Sequence, residues 1–144
     1  MRFMIIVKAN KESEAGVLPE EKMLNEMGKY NEELVKAGVM LAGEGLQPSS
    51  KGARVKFSNG KTTIVDGPFA ETKELVAGFW LWKVGSKQEA LDWLKRAPFT
   101  NEEIEIRQVF ESEDFAASDP SGKIREAEHR LREKTEQLTK SSKQ

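Results

Sequence analysis

Apolar and polar residues follow two different periods along the chain, and the period changes at turn-forming residues. Residues 3–7 form a nearly continuous apolar run rich in β-branched side chains, which predicts a buried central strand. The polar residues 11–17 predict a loop. From residue 19 to residue 37, apolar side chains recur at helical spacing, so we predict a helix that begins at Pro19 and stops before Gly38.

The second half of the chain predicts one hairpin, three further strands and one helix. Asn59-Gly60 is a strong hairpin signal between two alternating segments. Ser86 and Glu89 predict a capping box at the start of a second helix, which Pro98 ends. The strands are predicted at residues 39–42, 54–58, 62–65, 75–84 and 103–110.

The element order β-α-β, hairpin, β-α-β predicts an α+β protein with a ferredoxin-like antiparallel sheet. Two helices cover only one face of such a sheet. We expect the other face to carry large residues, Trp80 or Trp82 among them, and to need a cover of its own. A second copy of the chain is the simplest cover, so we predict a homodimer through the open sheet face, as a dimeric α+β barrel.

The character of the sequence changes after Glu111, which predicts a domain at 1–111 and a charged tail at 112–144. Residues 123–140 predict a helix with a thin apolar line that Lys134 interrupts. A solvated helix and an arm that docks on a dimer partner are both open, and the interrupted line favours the solvated helix. We expect residues 140–144 to be disordered.

Composition excludes several classes of function. The 144 residues carry 23 Lys and Arg against 24 Asp and Glu, a balance that predicts no nucleic-acid partner and no membrane partner. The absence of cysteine excludes disulfides and thiolate chemistry and fits a cytoplasmic protein. The only histidine is His129, in the tail, where we expect it to be solvated. We therefore predict no metal site and no cofactor.

The turn Asp66-Gly67-Pro68-Phe69 is the first place to look for chemistry, because it places an acid and an aromatic ring together after a strand. Asp66 has two open interpretations. Its carboxylate can cap the turn by accepting backbone N–H bonds, or it can be a general base in a partly apolar pocket. Phe69 can plug the core or form the wall of a ligand site.

Four other polar residues are candidates beside this turn. Glu44 lies between two glycines and can oppose Asp66 across a cleft, although an ordinary loop glutamate is the simpler interpretation. Lys73 is a possible polar partner. Ser49 can bind a ligand oxygen or belong to a turn, and Arg54 can bind an anion or pair with a surface glutamate.

Trp80 and Trp82 lie two residues apart in a predicted strand and must therefore point to the same sheet face. They can line a cavity between subunits, but packing in the core or at an interface is the simpler interpretation.

Three segments together resemble the YCII-related proteins, and specifically their DGPF-domain branch, over residues 1–111. They are residues 41–48, residues 66–74 and Gly78-Phe79-Trp80. The resemblance implies a ferredoxin-like fold that dimerises by its sheets. The family resembled includes small enzymes that use a His-Asp pair, and one branch of them removes halide from lactone intermediates. Other members are associated with sigma-factor genes. The resemblance therefore implies either acid–base catalysis or a regulatory role.

Carried over to this chain, the resemblance makes Asp66 the acidic member of the pair. Gln47 stands where relatives are expected to have a histidine, and glutamine does not exchange protons near neutral pH. The residues and the resemblance together predict Gln47, Gly67, Pro68, Phe69, Lys73 and Trp80 as ligand-binding residues, with Asp66 and Glu44 as catalytic candidates.

These observations predict an enzyme-like pocket for a small organic molecule, with proton transfer or elimination that needs no cofactor. The alternative is a non-catalytic module that binds a ligand or a protein such as a sigma factor. The missing histidine favours the alternative, and the carboxylates beside glycines favour the enzyme. Whether the protein is an enzyme is open from the sequence.

Overall fold

The computed structural model describes residues 1–142, which divide into two compact units, Met1–Val109 and a second unit that begins at Phe110. The strands of the first unit are β1 (Arg2–Lys8), β2 (Met40–Gly45), β3 (Ala53–Ser58), β4 (Lys61–Asp66), β5 (Val76–Lys83) and β6 (Ile104–Gln108). Its helices are α1 (Lys11–Glu14), α2 (Glu21–Lys36) and α3 (Lys87–Lys95).

Four strands form one antiparallel sheet in the order β2-β5-β1-β6. The apolar run of β1 lies between two neighbours, and Ile5 is completely buried there. A helix connects β1 to β2, and another connects β5 to β6. This order and these crossovers define a ferredoxin-like fold, so the predicted fold class is confirmed.

The hairpin β3–β4 forms a separate two-stranded sheet between β2 and β5 in the chain. Asn59 and Gly60 both have positive φ, 49° and 77°, as a type I′ turn requires. Every residue of the two strands is exposed. The predicted hairpin is therefore confirmed. Its second strand, β4, ends at Asp66, where the next turn begins.

Helix α2 ends where the sequence predicts. Gly38 has a φ of 70° and donates its N–H to the carbonyl of Val35, and the Val39 N–H bonds the carbonyl of Leu34. These two bonds form a Schellman motif, which needs a residue that tolerates positive φ. The helix begins later than predicted, because Glu20 is its N-cap and Pro19 lies outside it.

The prediction of a loop at residues 11–17 is wrong for its first half, which forms the short helix α1. The Asn10 carboxamide oxygen accepts the Ser13 N–H at 2.9 Å, and the Ser13 hydroxyl accepts the Asn10 N–H at 2.9 Å. This reciprocal capping box satisfies N–H groups that a loop would leave to water. One of the two bonds of the predicted capping box at α3 is present, since the Ser86 hydroxyl accepts the Glu89 N–H. The Glu89 carboxylate accepts the Gly85 N–H instead of the Ser86 N–H.

Both tryptophans of β5 lie on the face that the helices cover, and this contradicts the expectation that one of them lies on the open face. Trp80 is 6% exposed and Trp82 is completely buried. They stand opposite Ile5 and Phe3 of β1, so strand register sends all four side chains into one core. Core packing, the simpler interpretation, is what the structure shows.

Alternate residues of β1 and β5 point to the opposite face of the sheet. Met4 and Ile6 lie there beside Phe79 and Leu81, with Ala42 of β2 next to them, and all five are partly exposed. We call this set the open face.

In the second unit, helix α4 (Lys123–Ser141) is anchored by the buried Asp119. The Asp119 carboxylate accepts the N–H groups of Ile124 at 3.3 Å and Arg125 at 3.0 Å. These bonds, the one from Arg125 first, lower the pKa of Asp119. His129 is exposed, as expected. Lys140 belongs to the helix, which corrects the predicted disorder there, and residues 143–144 lie outside the described residues.

Candidate functional site

The turn after β4 is fixed to the loop that follows β2. The Gly67 N–H donates to the carbonyl of Gly52 at 3.0 Å, and the Gly67–Pro68 peptide bond is cis. A Cβ added at Gly67 would stand 1.8 Å from the carbonyl oxygen of Ser49. Only glycine allows the two backbones to approach this closely.

The Ser49 side chain connects this turn to helix α1. Its hydroxyl accepts the Phe69 N–H at 3.1 Å and donates to Glu14 Oε2 at 2.5 Å. The Ser49 N–H also donates to Glu14 Oε1 at 3.0 Å. Both carboxylate oxygens of Glu14 therefore bond one serine, and through this serine the carboxylate is held beside the Phe69 backbone.

Arg54 of β3 places its guanidinium over the Phe69 ring, 3.8 Å from the ring centre. Its Nη1 lies 4.0 Å from a carboxylate oxygen of Glu71, at the limit of an ion pair. The Arg54 side chain is 47% exposed, so its charge still reaches the solvent. Phe69 is thus neither an ordinary core residue nor a free surface residue, because the Arg54 guanidinium covers one face of its ring.

These residues surround a cavity of about 330 Å³, which we call the turn cavity. Its polar lining comes from Glu14, Gln47, Ser49, Lys51 and Arg54. Its apolar lining comes mainly from Leu46, Pro48, Phe69 and Leu75. Sites for small ligands commonly have about 300–1,000 Å³ and combine a mostly apolar wall with a few oriented polar groups.

The structure places the other predicted site residues outside the turn cavity. Asp66 is exposed, and its carboxylate has no hydrogen bond or ion pair with any residue of 1–142, so it does not cap the turn. Lys73 is exposed and Pro68 is exposed, and neither lines the cavity.

Glu44 and Trp80 lie in a different place, on the walls of a cavity of about 350 Å³. The Trp80 Nε1–H donates to Asn31 Oδ1 of α2 at 3.0 Å. Because Asp66 lines neither this cavity nor the turn cavity, the expected opposition of Glu44 and Asp66 is not seen in these two cavities.

A larger cavity of about 540 Å³ adjoins this one near the N-terminal half of α2. The two share a wall of five residues, Val7, Pro19, Met27, Ala77 and Phe99. We call the pair the helix cleft. None of its lining residues lines the turn cavity.

Glu14 is absent from the site residues that the sequence predicts, because the polar residues 11–17 predict a loop. The signal was present as Asn10 followed three residues later by Ser13, the spacing of a capping box. That pattern predicts α1, but only the tertiary structure brings Glu14 to Ser49, 35 residues away.

No group of three or more His, Asp or Glu side chains in residues 1–142 has the arrangement to hold a metal ion. Within the same residues, no helix combines the length and the apolarity needed to cross a bilayer.

The fold and the site define a class of protein, a ferredoxin-like α+β domain with a ligand-sized cavity beside its inserted hairpin. The YCII-related domain matches residues 1–113, more than half of the chain, and the chain belongs to this family.

Two other proteins are similar to this chain in sequence or in structure. "Uncharacterized protein R00369" of Rhizobium meliloti (strain 1021) is 36% identical over 76 residues, which cover 53% of this chain and 61% of that protein. The match thus spans less than two thirds of the relative's length. A solved structure of 5-chloro-2-hydroxyhydroquinone dehydrochlorinase from Burkholderia phenoliruptrix, in complex with 2,5-dihydroxybenzoquinone, is 18% identical. The match covers 78% of this chain and 98% of the solved chain at a TM-score of 0.37.

Proposed function

We propose that the first unit binds a small organic anion in the turn cavity, with an aromatic or other flat apolar body against Phe69. The observation that carries the proposal is the Arg54 guanidinium, 3.8 Å from the centre of the Phe69 ring in the wall of a cavity of about 330 Å³. A planar guanidinium recognises carboxylates and similar oxyanions with two parallel N–H bonds.

Local charge supports an anionic ligand. Arg54 and Lys51 are the cations that line the turn cavity, and Glu14 is the acid that lines it. Both oxygens of Glu14 already accept hydrogen bonds from Ser49. Glu71, 4.0 Å from Arg54 Nη1, offsets part of the positive charge, but this pair is at the limit of an ion pair and leaves the exposed guanidinium able to bind a ligand.

The cavity also supports acid–base chemistry without a cofactor as part of the proposal. The acid that lines it is Glu14, whereas Asp66, the acid expected from the family resemblance, is exposed outside it. Glu14 can exchange a proton with a ligand through the Ser49 hydroxyl, which keeps one acceptor lone pair after bonding the Phe69 N–H.

Calorimetric titration with 2-hydroxybenzoate tests anion binding, with benzyl alcohol as the neutral comparison. We expect Arg54→Gln to weaken 2-hydroxybenzoate binding by roughly fivefold and to leave benzyl alcohol binding unchanged, because one exposed charge contributes about 1 kcal/mol. Lys61→Gln is the matched control, since it removes the same charge at the far end of the hairpin. Equal weakening by both variants, or by neither, would refute the proposal.

A non-catalytic binding module is the alternative, and Glu14→Gln separates it from an enzyme. If the protein is an enzyme that uses Glu14, the Glu14→Gln variant should lose turnover of a hydroxylated aromatic acid. Its affinity for that acid should change little. A module shows no turnover in either form.

We also propose that a second copy of the chain covers the open face. The apolar side chains of Met4, Ile6, Phe79 and Leu81 are adjacent on the sheet and partly exposed, and such a patch favours a self-complementary interface. Ile6→Lys should convert a dimer to a monomer in light scattering at micromolar concentration. Val55→Lys on the exposed hairpin should leave the mass unchanged, and a monomeric unmodified protein would overturn the proposal.

A further inference from the structure

The helix cleft is a second ligand-sized space that the turn cavity does not use. Its larger part, about 540 Å³, lies between the start of α2, the segment that precedes it and the end of β1. Because the cleft and the turn cavity have no lining residue in common, a ligand in one leaves the other free.

The walls of the cleft are apolar and adaptable. Met23 and Met27 of α2 face it together with Phe99, and unbranched methionine side chains adjust to ligands of different shape. At its mouth, Leu18 is 84% exposed and Leu24 is 56% exposed. Two large apolar side chains left in water at the entrance of an apolar cavity gain free energy when a ligand covers them.

The charge around the cleft is negative. Glu12, Glu20 and Glu102 line its larger part, and none of them forms an ion pair within residues 1–142. Glu102 directs one carboxylate oxygen to the N–H groups of Thr100 and Asn101. Lys8, the cation that lines the same part, lies 3.6 Å from Glu105 and is therefore partly neutralised.

The N-terminus of α2 contributes a partial positive charge near the mouth, so it must be weighed against these acids. Glu20 and Glu21 stand at the N-cap and in the first turn of that helix, where their charges offset the positive end. The full set of charged groups therefore favours a cation.

We propose that the helix cleft binds an amphipathic amine, with its apolar body against Met23, Met27 and Phe99 and its ammonium group at the carboxylates of the mouth. The site differs from the turn cavity in place and in the charge of its ligand, and the proposal does not depend on the anion site.

Three probes of equal body and different charge test it: 4-phenylbutylamine, 4-phenylbutanol and 5-phenylvalerate. We expect the amine to bind at least tenfold more tightly than the carboxylate. Methyl NMR of the methionines locates the probe, because Met23 and Met27 line the cleft while Met4 lies on the open face. Shifts should appear at Met23 and Met27 and not at Met4.

Charge variants supply the second measurement. Glu12→Gln with Glu102→Gln should weaken amine binding by roughly threefold to tenfold and leave the alcohol unchanged. Glu26→Gln with Glu32→Gln is the matched control, since both are exposed on α2 and line neither part of the cleft. The proposal is overturned if the carboxylate binds as tightly as the amine, if Met4 shifts alone, or if no probe binds at millimolar concentration.

Discussion

The turn cavity and the helix cleft lie in one small unit, but they are built in different ways. The turn cavity is made by loops whose backbones bond each other and whose serine links an acid to a turn. The helix cleft is made by side chains that a helix and a sheet present to each other. A whole-chain charge of −1 predicts neither the cationic lining of the first nor the acidic mouth of the second, because each depends on where a few side chains meet.

The largest expected effect comes from adding a methyl group to a glycine. This change should lower the free energy of unfolding more at the turn cavity than in the helix cleft. In Gly67→Ala the new Cβ meets the Ser49 carbonyl oxygen at 1.8 Å, and a backbone atom cannot yield without moving the loop. We expect a loss of about 3 kcal/mol or more in the free energy of unfolding. Thermal or urea unfolding measures it, and a loss below that of Gly43→Ala would contradict the comparison.

Gly43→Ala makes the same chemical change in the helix cleft, with a smaller expected effect. Its new Cβ would lie 2.7 Å from Trp80 Cδ1 and 2.8 Å from Met40 Cε, which are side-chain atoms. The methionine end can move, whereas the ring of the buried Trp80 yields less easily, so we expect about 2 kcal/mol of destabilisation. Anion binding at the turn cavity should persist in this variant, as titration with 2-hydroxybenzoate would show.

Removing the Ser49 hydroxyl should loosen the turn cavity alone. Ser49→Ala leaves the Phe69 N–H and one oxygen of Glu14 without their partner, at a cost of about 1–2 kcal/mol. Hydrogen exchange at the Phe69 amide should accelerate. Ser50→Ala is the control, since Ser50 is exposed in the same turn, and equal effects from both variants would contradict a specific role for Ser49.

In the helix cleft the corresponding polar contact joins Asn31 to Trp80. Asn31→Ala leaves the indole N–H of a 6%-exposed tryptophan without its acceptor, so we expect about 1 kcal/mol of destabilisation. Amine binding should weaken, while the affinity of the turn cavity for anions stays the same. A change in both affinities would show that the two regions are coupled.

The smallest effect is expected at Asp66. Its carboxylate has no partner within residues 1–142, so Asp66→Asn should change the free energy of unfolding by less than about 0.5 kcal/mol. A structural cap would cost about 0.5–2 kcal/mol. Denaturant titration decides between them, and a cost above 1 kcal/mol would restore the capping interpretation.

The sequence predicts the order of the elements because the periodicity of apolar residues is a local property. Residues 3–7 are a central strand, Gly38 ends a helix and Asn59-Gly60 turns a hairpin, each for a reason contained in a few neighbouring residues. The family resemblance likewise directs attention to the turn beside the turn cavity, where Phe69 lines the cavity and Gly67 packs against the Ser49 backbone.

The register between β5 and β1 decides which face of β5 packs against the helices. Strand periodicity shows only that Trp80 and Trp82 lie on the same face. The acid of the turn cavity is also a tertiary result. Asp66 stands in the motif but is exposed and does not line the cavity, whereas Glu14 comes from a short helix 35 residues before Ser49. Local periodicity determined the elements of this protein, and contacts between residues distant in sequence decided which charges line each cavity.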